Sequence, residues 1–473
     1  MTGTAPAARV PGEGGSESPS PVRRGVAAVR KVTGGGVSSH VLAGASGTLL
    51  LNLGTVVWNF LAVLLLARLL GAHGYGAYAY GLAWSFILVV PAGLGFPTLA
   101  VREIAAANAK GDPGLVRGII RRSWVGTAIA VCVVVGAAGA FGGLMERGGG
   151  GPAAGAFLVG LLLLPAVAAY RLAEAVLRGL GSPVLGRVAE TTLQPLLLIV
   201  ALVVVGILAS SVSAAGAMAL TVVAAAGAAV VGCILATRRA AAALTDAEPR
   251  ALPSWSRVVV PLVILGGAQA LQLQVGQVML GAFGHLTASG VFSAALRLAV
   301  FVAFVQFAVA FPLAPVVTRL RVGGDRAALQ RLISLSTAAA SVFGVAVAAV
   351  LVLFSEQALS VFGRSFTHGS GALRILVLGE LVNVASGPVS MTLTMLNHER
   401  LVTAGVVASV VANVAMAAAL IPHFGIEGAA IARAVSVAAA NLYLAVELWR
   451  RERLFGPVGS AALLGATTRR ARA

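Results

Sequence analysis

Apolar segments of about 20 residues follow one another along nearly the whole chain, and the short stretches between them carry most of its charge. A helix of roughly 20 residues is long enough to cross the ~30 Å hydrocarbon core of a bilayer. Of the 473 residues, 58% are hydrophobic and 11% are charged, whereas soluble domains carry roughly 25% charged residues. The pattern predicts an all-α integral membrane protein, because a soluble protein of this length could not bury so much apolar surface.

We predict twelve membrane spans, numbered here in chain order. They cover residues 41–67, 76–98, 119–143, 155–177, 189–209, 213–236, 257–282, 289–313, 333–354, 372–396, 402–421 and 428–449. The predicted domains are a disordered cytoplasmic tail (1–40), an N-terminal six-helix bundle (41–236), a cytoplasmic linker (237–256), a C-terminal six-helix bundle (257–449) and a basic cytoplasmic tail (450–473).

Basic residues fall almost entirely on one side of this topology. If the tails and every second loop share a side, that side holds 27 of the 34 Lys and Arg residues, and the other side holds only Arg68, Arg147 and Arg364. Basic loops stay in the cytoplasm, so both termini are predicted to be cytoplasmic in a multi-pass protein of the cell membrane. The net charge of +18 thereby reflects orientation and does not indicate a nucleic-acid partner.

The two halves share features at an offset of about 215 residues. Phe96–Pro97 ends span two and Phe311–Pro312 ends span eight. "GYGAYAYG" (74–81), predicted as the turn into span two after an interfacial Arg68, corresponds to "SGVFSAAL" (289–296). Because each half has six spans, the halves are predicted to be parallel repeats, an arrangement that places substrate between them in transporters. Chance similarity between apolar helices is the alternative.

Two regions resemble the polysaccharide-export flippases (Wzx-like proteins) of the multidrug/oligosaccharidyl-lipid/polysaccharide (MOP) exporter superfamily. "ARLLGAHGYGAYAYGLAWSFILVVPAGLGFPTLAVREIA" (67–105) has the family's Arg-Leu-Leu-Gly, its Gly-x-Tyr segment and its basic loop. "LNHERLVTAGVVASVVANVAMAAALIPHFGIEGAAIARAVSVAAANLYLAVELWRR" (396–451) has a short polar turn, an asparagine in span eleven and a Gly-x-x-Gly-Ala-Ala opening of span twelve.

The resemblance implies two six-helix bundles around a central cavity, as in MATE and other MOP proteins. It also implies that an undecaprenyl-diphosphate-linked oligosaccharide is moved to the outer leaflet by alternating access, for cell-surface polysaccharide assembly. The implied partners are this lipid-linked substrate, membrane lipids, a coupling H⁺ or Na⁺, and glycan polymerase or glycosyltransferase machinery. The family's lipid II branch usually has fourteen spans, so twelve spans point away from that branch.

Charged side chains inside spans are functional candidates, because lipid burial is costly for a charge that is neither paired nor hydrated. The candidate substrate contacts are Arg297, Arg171, Arg374 and Arg433, and the candidate ion-coupling residues are Glu174 and Glu380. None of these has a charged counterpart about 215 residues away in the other half. A requirement of the shared scaffold would have appeared twice, so the asymmetry favours roles along the transport path, with helix packing within one half as the alternative.

Arg297 is the leading candidate because no acidic residue lies near it in sequence. A guanidinium binds phosphate through two parallel hydrogen bonds, which a diphosphate-linked lipid requires. The alternatives are snorkelling and pairing with an acid on another helix. For Arg171 and Glu174, three residues apart on one helix face, the alternative is a self-neutralising pair. For Arg374, near the outer surface, it is snorkelling.

Neutral amide side chains also collect in two spans. Gln269, Gln272, Gln274 and Gln277 lie in span seven, and Asn52 and Asn59 lie two turns apart in span one. Amides are uncommon against lipid, so we predict that they form a wet, sugar-facing wall, with hydrogen bonds between helices as the alternative. No histidine spacing indicates a metal site, and no cofactor is predicted.

Three other functions are weighed against a flippase. An enzyme is disfavoured because a membrane glycosyl polymerase would carry a substantial outward loop, and the predicted outward loops are short. No Walker A motif is present, so energy is expected from an ion or substrate gradient. A drug or cation antiporter of the same superfamily should have an acidic, aromatic cavity. A non-transporting membrane scaffold would leave the asymmetric charges unexplained.

Overall fold

Helices make up nearly all of the chain that the structure describes, and no strand occurs among those residues. The structure, a computed structural model, describes residues 39–147, 151–208, 212–243 and 256–455. The predicted N-terminal tail lies almost wholly outside these residues, as do most of the linker and the C-terminal tail from residue 456. The predicted all-α class is confirmed.

Each predicted span coincides with helical chain, although several helices continue beyond the predicted ends. In chain order the helices are Ser39–Gly93, Phe96–Ala109, Pro113–Arg147, Gly151–Leu161, Leu163–Gly179, Pro183–Val188, the π-helix Ala189–Leu193, Gln194–Leu208, Ala214–Ala243, Ser256–Ala282, Leu286–Val322, Arg326–Leu353, Ser355–Ser360, the 3₁₀-helix Arg364–Gly369, Ser370–Ser386, Val389–Met395 and Glu399–Glu452. Hydropathy marks only the lipid-buried part of a helix, which explains why span eight extends to Val322.

Ten helical segments of the described chain are long and apolar enough to cross a membrane. Two of them, Gly54–Gly93 and Glu399–Glu452, contain 40 and 54 residues. Straight α-helices of these lengths would run roughly 60–80 Å, about twice the hydrocarbon core. Each contains one glycine with non-helical backbone angles, Gly71 or Gly425. A reversal at each glycine turns the ten segments into the twelve predicted spans.

The chain reverses direction at Gly425. His398 Nε2 lies 2.9 Å from Glu452 Oε1, so the first and last turns of this stretch touch. Further in, Ser409 Oγ donates to Ser436 O over 3.0 Å. Both contacts join a residue before Gly425 to one after it, and the outer pair is equidistant from this glycine, as in an antiparallel hairpin. Gly425 has φ 54° and ψ −125°, angles that glycine adopts far more readily than other residues, and it therefore separates spans eleven and twelve.

Gly71 makes the corresponding turn between spans one and two, with φ 65° and ψ 177°. Leu66 and Tyr75 line one cavity together with Ala62 and Ala79. These residues are placed symmetrically before and after Gly71, so the two spans run antiparallel.

The glycine- and tyrosine-rich stretch over 74–81 is helical, so its prediction as a turn was wrong. Gly71 alone reverses the chain, and the later glycines serve close helix packing instead. Arg68 lies one turn before Gly71, and its Nε donates to Val361 O over 2.9 Å. This bond holds the C-terminal end of span one to the segment that precedes span ten.

The two halves meet where spans two and eight begin, through a reciprocal contact between these spans. A Cβ added to Gly76 would collide with Leu286 O, and one added to Gly290 would collide with Ala72 O. Gly290 lies 214 positions after Gly76, and Leu286 lies 214 positions after Ala72. The two contacts are therefore equivalent under one offset, as expected for two related halves. The reciprocity agrees with the parallel repeats predicted from the sequence.

Most helix packing takes place within a half. Span four packs against spans three and six, and span ten packs against spans eight, nine, eleven and twelve. The largest buried apolar cluster nevertheless includes both halves, with Leu202 from span five and Phe292 from span eight. Large apolar side chains such as Ile207 and Val342 are 78% and 74% exposed, which suits a surface in contact with lipid.

Candidate functional site

Six spans surround a cavity between the two halves, here called the central cavity. Its volume is about 80 Å³, and spans one, two, five, six, seven and eight contribute to its wall. The polar residues that line it are Asn59, Tyr75, Tyr78, Gln194, Thr221, Gln274, Gln277, Ser293 and Arg297. The cavity lies where parallel repeats are expected to bind substrate.

Among the described residues that line the central cavity, Arg297 is the only charged one. Its side chain is exposed, and it makes no hydrogen bond or ion pair with any other described residue. One turn away, Tyr75 Oη and Ser293 Oγ lie 3.2 Å apart. The five N–H donors of the guanidinium are therefore available to a ligand. Leu82, the counterpart of Arg297 in the other half, lines the same cavity, so only one of the two related positions carries a cation.

An apolar cleft of about 280 Å³ adjoins the central cavity between spans one and eight, and we call it the 1–8 cleft. Its lining residues are Thr55, Val56, Asn59, Phe60, Arg297, Val300, Phe301 and Phe304. Asn59 and Arg297 belong to both linings, so they mark the boundary between a polar and an apolar compartment.

Sequence reasoning missed several members of the central cavity. Tyr78 Oη lies 3.0 Å from Thr221 Oγ1, and both residues are buried. Gln194 is the cavity residue of span five. The signals were the three-residue spacing of Tyr75 and Tyr78, which places them on one helix face, and a lone glutamine within an apolar span.

The glutamines of span seven divide between two faces. Gln274 and Gln277 line the central cavity. Gln272 points into the C-terminal half, where its Nε2 donates to Ser409 Oγ over 3.1 Å. Gln269 is exposed. In span one, Asn59 donates to Thr55 O over 2.8 Å and lines the cavity, whereas the Asn52 side chain lies outside the described residues.

Arg433 and Glu380 form a buried ion pair inside the C-terminal half. Arg433 Nη2 lies 3.2 Å from Glu380 Oε1, and each side chain is 9% exposed. Arg433 Nη1 also donates to Gln272 O over 2.9 Å, and Glu380 Oε2 accepts from Asn383 Nδ2 over 3.0 Å. The pair therefore joins spans seven, ten and twelve, and neither of these two predicted site residues lines the central cavity.

Span ten is interrupted next to this network. Helix Ser370–Ser386 ends at Gly387, which has φ 79°, and a short helix resumes at Val389. Gln306 Nε2 of span eight donates to Gly387 O over 2.9 Å and so satisfies a carbonyl that the break releases. Broken spans are tolerated where neighbouring side chains satisfy the freed backbone groups.

The alternative considered for Arg171 and Glu174, a self-neutralising pair, does not form. Glu174 Oε1 lies 3.4 Å from Arg178 Nη1 and 3.9 Å from Arg187 Nε, whereas Arg171 Nη2 lies 3.6 Å from Glu190 Oε1. A glutamate followed four residues later by an arginine is a favourable pair, so Arg178 takes the position expected for Arg171. Span five supplies the other two partners, which spacing along span four could not reveal.

Arg374 lies outside both the central cavity and the 1–8 cleft. It is exposed, and its Nε donates to Ser355 Oγ over 3.0 Å. Ser355 begins the short helix after span nine, so Arg374 ties span ten to the segment before it. Within the described residues, no group of three or more His, Cys, Asp or Glu side chains could hold a metal ion.

We expect Gly76→Val to force the outer ends of spans two and eight apart, because its side chain would overlap Leu286. A buried reporter, Ser293→Cys, would then react with a membrane-impermeant maleimide from the outer side at least about tenfold faster.

The protein for this measurement carries Cys132→Ala and Cys233→Ala, which remove the free thiols of the described chain. Gly136→Val is the control, since nothing lies within 4 Å of a Cβ there. Equal labelling of both variants would contradict closure by the Gly76 contact.

Comparison with known proteins gives one family and one fold. Residues 41–320 match the family model described as "Polysaccharide biosynthesis protein". An inward-facing multidrug resistance MATE family transporter of the MOP superfamily has a TM-score of 0.67 and 18% identity, covering 84% of this chain and 94% of its own. The lipid II flippase MurJ, in an inward closed conformation, has a TM-score of 0.64 and 12% identity, with coverages of 87% and 88%.

A MOP superfamily transporter from Pyrococcus furiosus is also similar, with a TM-score of 0.57 and 17% identity, covering 87% of this chain and 93% of its own. No curated protein matches the chain by sequence. The structural matches extend over most of each chain and confirm the predicted MATE/MOP-like fold.

Proposed function

Since the chain belongs to the polysaccharide biosynthesis protein family and has the fold of MOP-superfamily transporters, we propose that it moves a polyprenyl-diphosphate-linked oligosaccharide from the cytoplasmic to the outer leaflet of the cell membrane. Arg297 carries this proposal. It offers an unpartnered guanidinium where the polar central cavity meets the apolar 1–8 cleft. A lipid-linked oligosaccharide joins the same three chemistries in the same order: sugar hydroxyls, a diphosphate and a hydrocarbon chain.

The lining residues supply a contact for each part of such a lipid. Gln274, Gln277 and Gln194 present amides that can donate to and accept from sugar hydroxyls. Arg297 can bind the diphosphate through two parallel hydrogen bonds. Phe301 and Phe304, with the other apolar side chains of the 1–8 cleft, suit a polyprenyl chain that remains in contact with the bilayer.

Alternating access follows from the closure at the outer ends. In this conformation the central cavity holds about 80 Å³, and spans two and eight block its outer side through Gly76 and Gly290. The halves must therefore separate to load and release a lipid-linked glycan. Rocking of parallel repeats around a fixed site achieves this in transporters.

Coupling to a proton or sodium gradient would act through Glu174 or Glu380, the acids predicted for it. Both are already paired with arginines, and Glu380 is the more buried of the two. A cation that binds Glu380 must compete with the buried Arg433. The arginines that pair with Glu174 are more exposed than Arg433, so a cation can displace them more easily. We therefore propose Glu174 as the coupling residue if transport depends on an ion gradient.

Reconstitution tests the proposed function directly. Purified protein in liposomes should move a fluorescent polyprenyl-diphosphate glycan between leaflets, measured as dye that becomes accessible to a membrane-impermeant quencher. Protein-free liposomes give the background. Transport of a cationic dye without movement of the lipid would instead identify a drug or cation antiporter, and movement of neither would favour a scaffold.

A further inference from the structure

We propose that Arg171 and Glu190 form a second phosphate site, between the cytoplasmic ends of spans four and five and the central cavity. In this site Glu190 occupies the Arg171 guanidinium until a phosphate-bearing lipid displaces it. The inference rests on the proposed function and adds a step that precedes contact with Arg297.

The Arg171–Glu190 pair is loose and reachable by solvent. Arg171 Nη2 and Glu190 Oε1 are 3.6 Å apart, and the side chains are 35% and 31% exposed. The Arg433–Glu380 pair is shorter, at 3.2 Å, and its side chains are only 9% exposed. Partly hydrated ion pairs contribute little stability, so an incoming anion can replace Glu190 at small cost.

The surroundings of the pair hold Arg171 in place and weaken the position of Glu190. Tyr170, the neighbour of Arg171 in the chain, is buried, and it anchors this turn of span four independently of Glu190. The Glu190 carboxylate also lies beside that of Glu174, and neighbouring like charges repel. Glu174 is held between Arg178 and Arg187 and is only 12% exposed. In the cluster formed by these three residues with Arg171 and Glu190, Glu190 is therefore the acid that an incoming anion can displace.

Charge in the cluster favours an anion with more than one negative charge. Arg171, Arg178 and Arg187 outnumber the two glutamates, and Arg187 Nε is buried without a hydrogen-bond partner among the described residues. Once Glu190 has moved aside, two positive charges are uncompensated. A diphosphate supplies a matching charge, whereas an uncharged lipid gains nothing by displacing Glu190.

Position along span five connects this cluster to the central cavity. Glu190 lies in the π-helix Ala189–Leu193, and Gln194 follows it directly and lines the cavity. Residues four apart in such a turn lie on nearly the same helix face. Glu190 is seven residues, or roughly 10 Å, from Pro183, where the helical chain that leads into span five begins. A lipid phosphate that enters from the cytoplasmic side would thus meet Arg171 before it reaches Arg297.

Binding of short-chain analogues to the full-length protein in detergent micelles tests the site. Farnesyl diphosphate, farnesyl monophosphate, farnesol and inorganic pyrophosphate are titrated calorimetrically into Arg297→Gln protein, which lacks the cavity cation. We expect Glu190→Gln in that background to strengthen farnesyl diphosphate binding about fivefold, because the competing charge is gone while the amide keeps its size. Arg171→Gln should weaken binding by a similar factor, and Glu190→Gln should have no effect once Arg171 is replaced.

The four probes separate the possible ligands. A gain for both farnesyl phosphates that exceeds the gain for pyrophosphate supports a lipid phosphate site, and farnesol should show no change. An equal or larger gain for pyrophosphate would overturn the lipid assignment in favour of a free phosphate ligand. Glu103→Gln is the matched control, since Glu103 pairs with Arg102 at 2.9 Å on a different cytoplasmic helix, and it should leave every affinity unchanged.

Other outcomes overturn the inference without ambiguity. Weaker binding in Glu190→Gln would show that Glu190 stabilises the fold or the site rather than occupying it. Binding that requires Arg297 and ignores Arg171 and Glu190 would overturn this inference and leave the proposed function standing. Conversely, Glu190-dependent binding by protein that moves no lipid in liposomes would overturn the proposed function alone, and a failure of wild-type protein to bind either farnesyl phosphate would overturn both.

Discussion

Replacement of Arg297 by alanine is expected to lower the rate of glycolipid translocation in proteoliposomes about 100-fold. The cation is the single charge in the wall of the central cavity and has no partner among the described residues. Two charge-assisted hydrogen bonds to a diphosphate contribute about 3 kcal/mol, which corresponds to roughly a hundredfold in binding or rate. Arg297→Glu should abolish transport, because it places a like charge against the diphosphate.

Two controls separate a substrate contact from a folding defect. Arg374→Ala removes an exposed arginine that lies outside the cavity, so it should keep wild-type transport. Arg297→Lys retains the charge but cannot form the paired hydrogen bonds of a guanidinium, and it should fall between wild type and alanine. Full transport by both Arg297→Ala and Arg297→Glu, at normal expression, would remove Arg297 from the site.

Replacement of Glu380 by glutamine is expected to lower the free energy of unfolding by about 3–5 kcal/mol, because it leaves the Arg433 charge buried without its counter-ion. SDS-induced unfolding in mixed micelles measures the change. The double variant Glu380→Gln with Arg433→Gln should regain part of the loss, since no isolated charge remains in the bundle. Both side chains are 9% exposed, so water cannot replace the missing partner.

The matched control for the buried pair is an ion pair at a helix end. Glu447→Gln removes a carboxylate that binds the exposed Arg451 at 2.8 Å, and such exposed pairs contribute little to stability. A loss in Glu380→Gln no larger than the loss in Glu447→Gln would show that Arg433 finds another partner or reaches water.

The spans were within reach of the sequence, because lipid imposes its own length rule on each segment separately. Among the described residues, Arg297 also lacks an acidic partner in the folded chain, as its isolation in the sequence indicated. The sequence does not show which face of a helix borders the central cavity. Gln272 and Gln274 are two residues apart, yet they point into different compartments, and only the position of neighbouring spans decides between them.

Ion pairs across helices were the least predictable feature. Spacing along span four suggested that Arg171 pairs with Glu174, but span five brings Arg187 and Glu190 to the same place. Arg433 and Glu380 were chosen as separate candidates and turned out to bind one another. Such pairings depend on how distant segments of the chain dock, and a single sequence carries no direct record of that.

The cation of the central cavity belongs to one half only, and this placement restricts the orientation in which a substrate can bind. A cavity with matching cations on both halves could hold an elongated anion in two poses related by the internal symmetry. Arg297 faces Leu82, so one pose loses its phosphate contact. We therefore expect a glycolipid to bind Arg297 in a single orientation, with its tail leaving through the 1–8 cleft.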